Sequence, residues 1–396
     1  MKQQGIYIAG SDMNAGKTTF SLGMISWLCN HLDRGASFMK PLGQKTTLLD
    51  GASVGEDSFL VNTSLGLHSE LKYATPFAMS SGASEKFLED GHPVNIRGKI
   101  LKAFRHLAAD TDMVVVEGTG HPGVGSVFGL CNASVASLLD IPVLLVLDAG
   151  IGRTIDRFTL CNSLFHDRKI PLLGVVVNRV RKSKMEKVKK YLDPWFSERG
   201  IPVFGYIPYV TSIARPSLSM LGRELGLEAV ISWKPDPYMP VEGFITAFGS
   251  IREILIDINE NPDSALLISA TRLEVIDALI TRRLSGVLEK GPGAIVICDS
   301  FTEHDSYLVE ACRKLDIPVY RTAKNAGDSA SILNRRVFKV EPGESVKISE
   351  IVETVRDNVD LESILDALLA PVIVPGKPKQ TPLLKVRSWF SKLLRG

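Results

Sequence analysis

Long hydrophobic runs are missing from this sequence: no apolar stretch approaches the ~20 residues needed to cross a bilayer. A charge of one sign is missing too. Lys and Arg number 46 against 44 Asp and Glu, and a net charge of +2 argues against nucleic acid or membrane as a partner for the molecule as a whole. Cysteine is scarce. Cys29, Cys131, Cys161, Cys298 and Cys312 form no C-x-x-C pair and leave an odd total, which argues against a disulfide framework or a zinc site and fits a reducing cytoplasm. The N-terminus runs directly into a strand-like segment, with no room for a signal peptide, so a cytoplasmic protein is expected. What is present is a 45% hydrophobic chain of 396 residues, long enough for two or three domains.

Short β-branched runs recur along the first half: "IYIAG", "SFMKPL", "MVVVEG", "VLLVLD", "LLGVVVN" and "VFGYIP". Continuous apolar runs of this length suit strands buried on both faces. Residues 17–31, 95–109, 153–166 and 184–199 between them are long enough for crossover helices. The alternation predicts an α/β, doubly wound, mostly parallel domain over 1–230. A proline-rich linker follows at 231–242. "GFITAFG", "ALLISA", "GAIVICD" and "IPVYRT", with helical patterns at 272–288 and 304–315, predict a second, smaller α/β domain. We group it with the amphipathic stretch 346–370 as one unit, 243–370. Residues 371–396 read as a Pro-rich spacer and a basic amphipathic tail.

"IYIAGSDMNAGKTTF" carries the first candidate site. Strand, loop and helix follow in the order a phosphate loop requires, although Ser11 stands where the usual G-x-x-x-x-G-K-[ST] has its first glycine. Backbone N–H groups of 12–17, from Asp12 through Ala15 and Gly16, would face phosphate oxygens, helped by the helix N-terminus. Lys17 would reach the outer phosphates, Thr18 would hold Mg²⁺, and Thr19 follows on the same turn. A tight turn with an exposed lysine is the bland alternative.

Further along, "MKPLGQ" puts Lys40 at the end of the second strand, where ligands sit in such sheets, or as a surface lysine before a turn. "VVVEGTGHPG" ends the third strand in Glu117, placed for Mg²⁺ or a metal-bound water, or as an acid capping the turn. Asp57 in "GEDSFL" would ordinarily be a helix cap. Asn178 ends "GVVVN", and Pro208 follows in "GYIPYV".

G-[ST]-D-x-x-x-G-K-T after a first strand resembles the loop of dethiobiotin synthetases, as do the Lys40-Pro41 pair and V-E-G-x-G at Glu117. The resemblance covers about 1–215 and implies ATP and Mg²⁺ as cofactors. It implies catalytic roles for Lys17, Lys40 and Glu117, a metal side of Thr18, Asp57 and Glu117, and a base-recognition place for Asn178, where a turn-forming Asn is the alternative. A wider resemblance, to about residue 370, is to the N-terminal portion of long-form bacterial phosphate acetyltransferases. There the second unit looks like a DRTGG domain, although "ATRLE" and "CDSF" depart from the name-giving motif.

Two functions follow. One is an ATP/Mg-binding regulatory or sensory protein acting through a protein partner, a metabolite or its own oligomer. The other is an ATP-dependent carboxylate-activating ligase of the dethiobiotin synthetase or amidoligase type, acting on a small carboxylate. "TPFAMSSGAS" lacks the Ser-Pro-His-type segment of dethiobiotin synthetases, and this tips the expectation toward the first. Acetyl transfer by this chain alone is not expected. In the tail, Leu383, Val386, Phe390, Leu393 and Leu394 share a helical face, with Lys385, Arg387, Lys392 and Arg395 as its charges. Such a helix packs on the body, lies in an anionic membrane interface, or fits an acidic groove of a partner.

Overall fold

The structure, a computed structural model, describes residues 4–370 apart from 45, 50–51, 80–81, 91–94, 231–236, 287–290, 300–309, 311–312, 314–316 and 337. The tail at 383–396 and most of the helical pattern at 304–315 lie outside the described residues.

In chain order the first unit contains β1 (Gly5–Gly10), α1 (Lys17–His31), β2 (Ala36–Met39), α2 (Glu56–Ser64), α3 (Ile96–Asp110), β3 (Met113–Glu117), α4 (Asn132–Leu139), β4 (Val143–Asp148), α5 (Gly152–Asp167), β5 (Leu172–Val180), α6 (Met185–Ser197) and β6 (Val203–Pro208). The six strands form one parallel sheet in the order β6-β5-β4-β1-β3-β2. Tyr7 and Ala9 of β1 face one core with Val114, Val116, Leu145 and α3. Ile6 and Ile8 face the other with Val115, Leu144, Val146 and α1. Period-2 alternation with both faces covered is why these strands read as unbroken apolar runs. The chain runs from β1 past β3's place to β2, returns to β3, then crosses to β4 on the far side. The strand order therefore reverses at β1, and a crevice opens at its carboxyl end.

The second unit has α7 (Leu218–Leu225), β7 (Glu228–Ala229), β8 (Phe244–Thr246), α8 (Ile251–Glu260), β9 (Ala265–Ser269), α9 (Leu273–Leu284), β10 (Ala294–Cys298), β11 (Val319–Arg321) and α10 (Ala326–Arg335). Its sheet runs β7-β11-β10-β9-β8, parallel except for β7. Ser250 and Glu253 form a reciprocal capping box at the start of α8.

Two boundaries differ from the sequence reading. Residues 218–229, assigned there to the first unit, belong with the second: Leu218, Leu221 and Leu225 pack with Leu267 and Val296, and β7 pairs with β11. The closing stretch, grouped there with the second unit, returns to the first as α11 (Ser345–Asn358) and α12 (Leu361–Leu369). Ile351, Val355, Ile364 and Leu368 join Ile6, Ile8 and α1 in one core. Helical periodicity marks an apolar face but not the surface that will cover it. The second unit is thus inserted between β6 and α11.

Candidate functional site

Gly16, the N-cap of α1, has φ of +90°, and a Cβ there would overlap Asn178 Nδ2. Only glycine meets both demands. The Asn178 amide sits under the loop, donating from Nδ2 to the Ala15 carbonyl at 2.9 Å and accepting from the Arg179 amide at 2.9 Å. The base-recognition role implied for Asn178 thus meets a second one, as the peg that sets the loop's height above β5. Gly10, one place before the usual glycine, is explained by Lys17. A Cβ on Gly10 would lie 2.8 Å from Lys17 Cγ and 2.9 Å from its Nζ, so the lysine stem lies across that backbone. Ser11, at the usual glycine's position, is buried and accepts from the Asp148 amide at 3.2 Å, binding the loop to β4. Asp12 accepts from the Met13 amide at 2.7 Å and stands 3.4 Å from Arg157 of α5.

Lys17 is buried. Its Nζ donates to the carbonyls of Gly120 at 2.7 Å, Asp12 at 2.9 Å and Met13 at 3.3 Å, and among the described residues no carboxylate pairs with it. Burial pulls its pKa down to about 8, with nearby Lys40 adding to the fall and Glu117 opposing it. The first-turn N–H groups of α1 have no acceptor within the helix, and they carry the positive end of its dipole.

Beside the loop, Glu117 is fully buried at the end of β3. Its Oε1 accepts from Thr18 Oγ1 at 3.0 Å and Lys40 Nζ at 2.8 Å, and its Oε2 from Ser21 Oγ at 3.1 Å. Lys40 also bonds Asp57, the second residue of α2. Burial opposes the Lys40 charge, but Glu117 and Asp57 outweigh it and its pKa stands above that of an ordinary lysine. Asp57 is likewise opposed by burial, yet Lys40 and Lys339 hold it well below the usual carboxylate range. Among the described residues, the three lysines Lys17, Lys40 and Lys339 stand against the two carboxylates Asp57 and Glu117, an excess of one positive charge.

Lys17, Thr18, Lys40, Asp57 and Glu117, spread over 100 residues of sequence, therefore meet at the carboxyl ends of β1, β2 and β3. Thr19 lies beside Thr18 on the first turn, half-buried. Pro208 ends β6, with β5 and β4 between it and the loop strand. Sequence reasoning missed Ser21, one helical turn after Lys17, the Gly120 carbonyl and Lys339, whose Nζ reaches Asp57 Oδ1 at 3.1 Å from 282 residues away. The i, i+4 spacing of Lys17 and Ser21 was a usable signal, whereas nothing in the sequence pointed to Lys339.

Among the described residues no cluster of three or more His, Cys, Asp or Glu could cage a metal ion. Two carboxylates and a hydroxyl, all hard oxygen donors, suit Mg²⁺, which takes few protein ligands and completes its shell with water and phosphate. The donor set fits that ion.

A family model described as an AAA domain, AAA_26, matches residues 4–217. Among curated proteins, phosphate acetyltransferase of Nitrosomonas europaea is 22% identical over 374 residues, covering 91% of this chain and 51% of that protein. ATP-dependent dethiobiotin synthetase of a Synechocystis species is 27% identical over 233 residues, covering 57% of this chain and 94% of that protein. Cobyric acid synthase of a Nostoc species is 36% identical over 134 residues, covering 32% of this chain and 26% of that protein. The chain spans about half the length of the phosphate acetyltransferases that it matches.

Proposed function

The chain belongs to the AAA_26 family, and we propose that it binds ATP with Mg²⁺ at the loop of residues 10–19 and passes nucleotide state on through its second unit. One observation carries the reading: a buried lysine held, among the described residues, by carbonyls alone, at the N-terminus of a helix and in a crevice lined by Lys17, Lys40 and Lys339. Phosphate would supply Lys17 with the anionic partner that none of the described residues provides. Thr18, Asp57 and Glu117 would hold Mg²⁺, which would neutralise charge on the outer phosphates. Lys40 would orient both carboxylates and present its ammonium beside the terminal phosphate. The role of the second unit, its likeness to a DRTGG domain and action through a partner, a metabolite or an oligomer belong to this proposal. So does a contact of the basic tail with an anionic surface, for which co-sedimentation with anionic vesicles is the test.

A second reading, ATP-dependent activation of a small carboxylate, is favoured by the near-complete coverage of the dethiobiotin synthetase and by Lys40 standing inside the site. The experiment that separates them starts from calorimetric titration of the chain with ATP and Mg²⁺. Phosphate release is then measured with and without candidate acids. Binding with little turnover supports the regulatory reading, and acid-dependent stoichiometric phosphate release supports the ligase. No ATP binding would sink both.

A further inference from the structure

The second unit hangs from the first by two neighbouring crossings, one after β6 and one before α11. The crossings are tied to each other where Lys347 Nζ, paired with Glu344, donates to the Arg215 carbonyl at 2.7 Å. The returning crossing is also tied to α7 of the second unit, where Glu341 pairs with Arg223 and Arg336 pairs with Glu224 at 2.7 Å. Beyond them α11 lies against α1, with Val355 seated over Gly23. On the returning crossing stands Lys339, reaching into the nucleotide site. Asp57 is therefore shared: Lys40 takes Oδ2 and Lys339 takes Oδ1. The two lysines differ in kind. Lys40 is 8% exposed and is also held by Glu117, whereas Lys339 is 47% exposed and can leave for water at little cost.

We infer that Lys339 is a metal-displaceable latch, which closes the returning crossing onto the nucleotide site when no metal is there and releases it when Mg²⁺–nucleotide binds. The inference rests on Asp57 serving as a metal-side oxygen, as proposed above. A divalent ion and an ammonium on the same Asp57 Oδ1 would stand within a few ångströms of each other and repel, and of the two lysines on Asp57 it is the half-exposed Lys339 that can move away into water. The ion wins by its double charge and its phosphate ligands, so Lys339 is the group displaced. Residues 338–344 then lose their hold on α2, and the second unit gains freedom at its attachment. Linkage makes the device reciprocal: whatever draws the second unit away from Asp57 tightens Mg²⁺ binding by the same factor.

The test compares the full chain with Lys339→Gln and Lys339→Arg by amide hydrogen exchange over 338–344 and by Mg²⁺ titration at saturating ATP. In nucleotide-free protein, Lys339→Gln should speed exchange over 338–344 and Lys339→Arg should restore the slower rate. In the wild type, ATP with Mg²⁺ should speed the same amides, and ATP with a chelator should not. Mg²⁺ should bind Lys339→Gln about two- to fivefold more tightly, the range that a half-exposed ion pair supports. Unchanged exchange in nucleotide-free Lys339→Gln overturns the latch, whatever the protein binds. Slower exchange with Mg²⁺–ATP overturns displacement. Failure of the wild type to bind ATP at all overturns the nucleotide reading itself, and the metal-driven release with it.

Discussion

Lys40 Nζ stands 2.8 Å from Glu117 Oε1 in the interior, 77 residues away in sequence, and bonds Asp57 on its other side. Removing the lysine leaves the buried Glu117 carboxylate with the Thr18 and Ser21 hydroxyls and Asp57 with Lys339, and removing one partner of a buried ion pair costs about 3–5 kcal/mol. Lys40→Ala should therefore lower unfolding free energy by an amount of that order in urea denaturation. Combining Lys40→Met with Asp57→Asn and Glu117→Gln removes the charges together and should recover much of the loss. Equal stability of Lys40→Ala and wild type would show that the triad is open to water.

Glu117 links Thr18, Ser21 and Lys40. Its proposed place is the metal side, so Glu117→Gln should spare ATP affinity but remove most metal-dependent turnover, or flatten the Mg²⁺ dependence of ATP binding where turnover is absent. Titrations at several Mg²⁺ concentrations decide this. Identical Mg²⁺ dependence in both proteins would count against a metal role.

Lys17→Ala removes the cation that faces the outer phosphates. Loss of one charge-assisted hydrogen bond is worth about 1.5–3 kcal/mol, a weakening of roughly tenfold to a hundredfold. ATP affinity measured by calorimetry should fall by that factor, and unchanged affinity would remove Lys17 from the site.

Burial gives Lys17 a second signature, in pH. Its folded-state pKa, lowered to about 8, lies below that of the unfolded chain. Holding it charged thus costs stability below pH 8, and the cost is relieved as pH rises from about 8 toward the unfolded lysine value near 10.4. Phosphate reverses this by favouring the ammonium. Binding of ATP should accordingly take up a proton between about pH 8 and 10, and affinity should fall as pH rises through 8. Calorimetry in buffers of different ionisation enthalpy reads the proton directly, and buffer-independent heats at pH 8.5 would contradict it.

Much of the candidate site's layout was legible because strand ends carry it. Apolar runs ending in Lys40-Pro41 and in Glu117 place those side chains at the carboxyl edge of a parallel sheet before any coordinate is known. The second run, read as 37–42, ends earlier in the structure, at Met39, because the Lys40 amide turns away to the Ala74 carbonyl at 2.7 Å. Gly10 had no visible cause in sequence, since what forbids a side chain there is the stem of Lys17 folded back over it. Lys339 and the return of α11 were illegible for one reason: both depend on where an inserted unit delivers the chain, and local patterning says nothing of that.

Gly23 offers the sharpest test of that return. It lies inside α1, where alanine is ordinarily favoured over glycine by about 1 kcal/mol. By propensity alone, Gly23→Ala should stabilise the protein. A Cβ at this position, however, would overlap the Val355 side chain of α11, and Val355 is fully buried. Overpacking of a dense interior costs about 1–3 kcal/mol, enough to reverse the sign. Gly23→Ala should lower stability in chemical denaturation, and Val355→Ala alone should also destabilise by leaving a cavity. Together they exchange one small residue for another across the same contact, so the double substitution should lose less than the sum of the two. Coupling of that sign measures the seating of α11 on the phosphate-loop helix. Additive losses, or a stabilising Gly23→Ala, would mean that the two helices do not meet there.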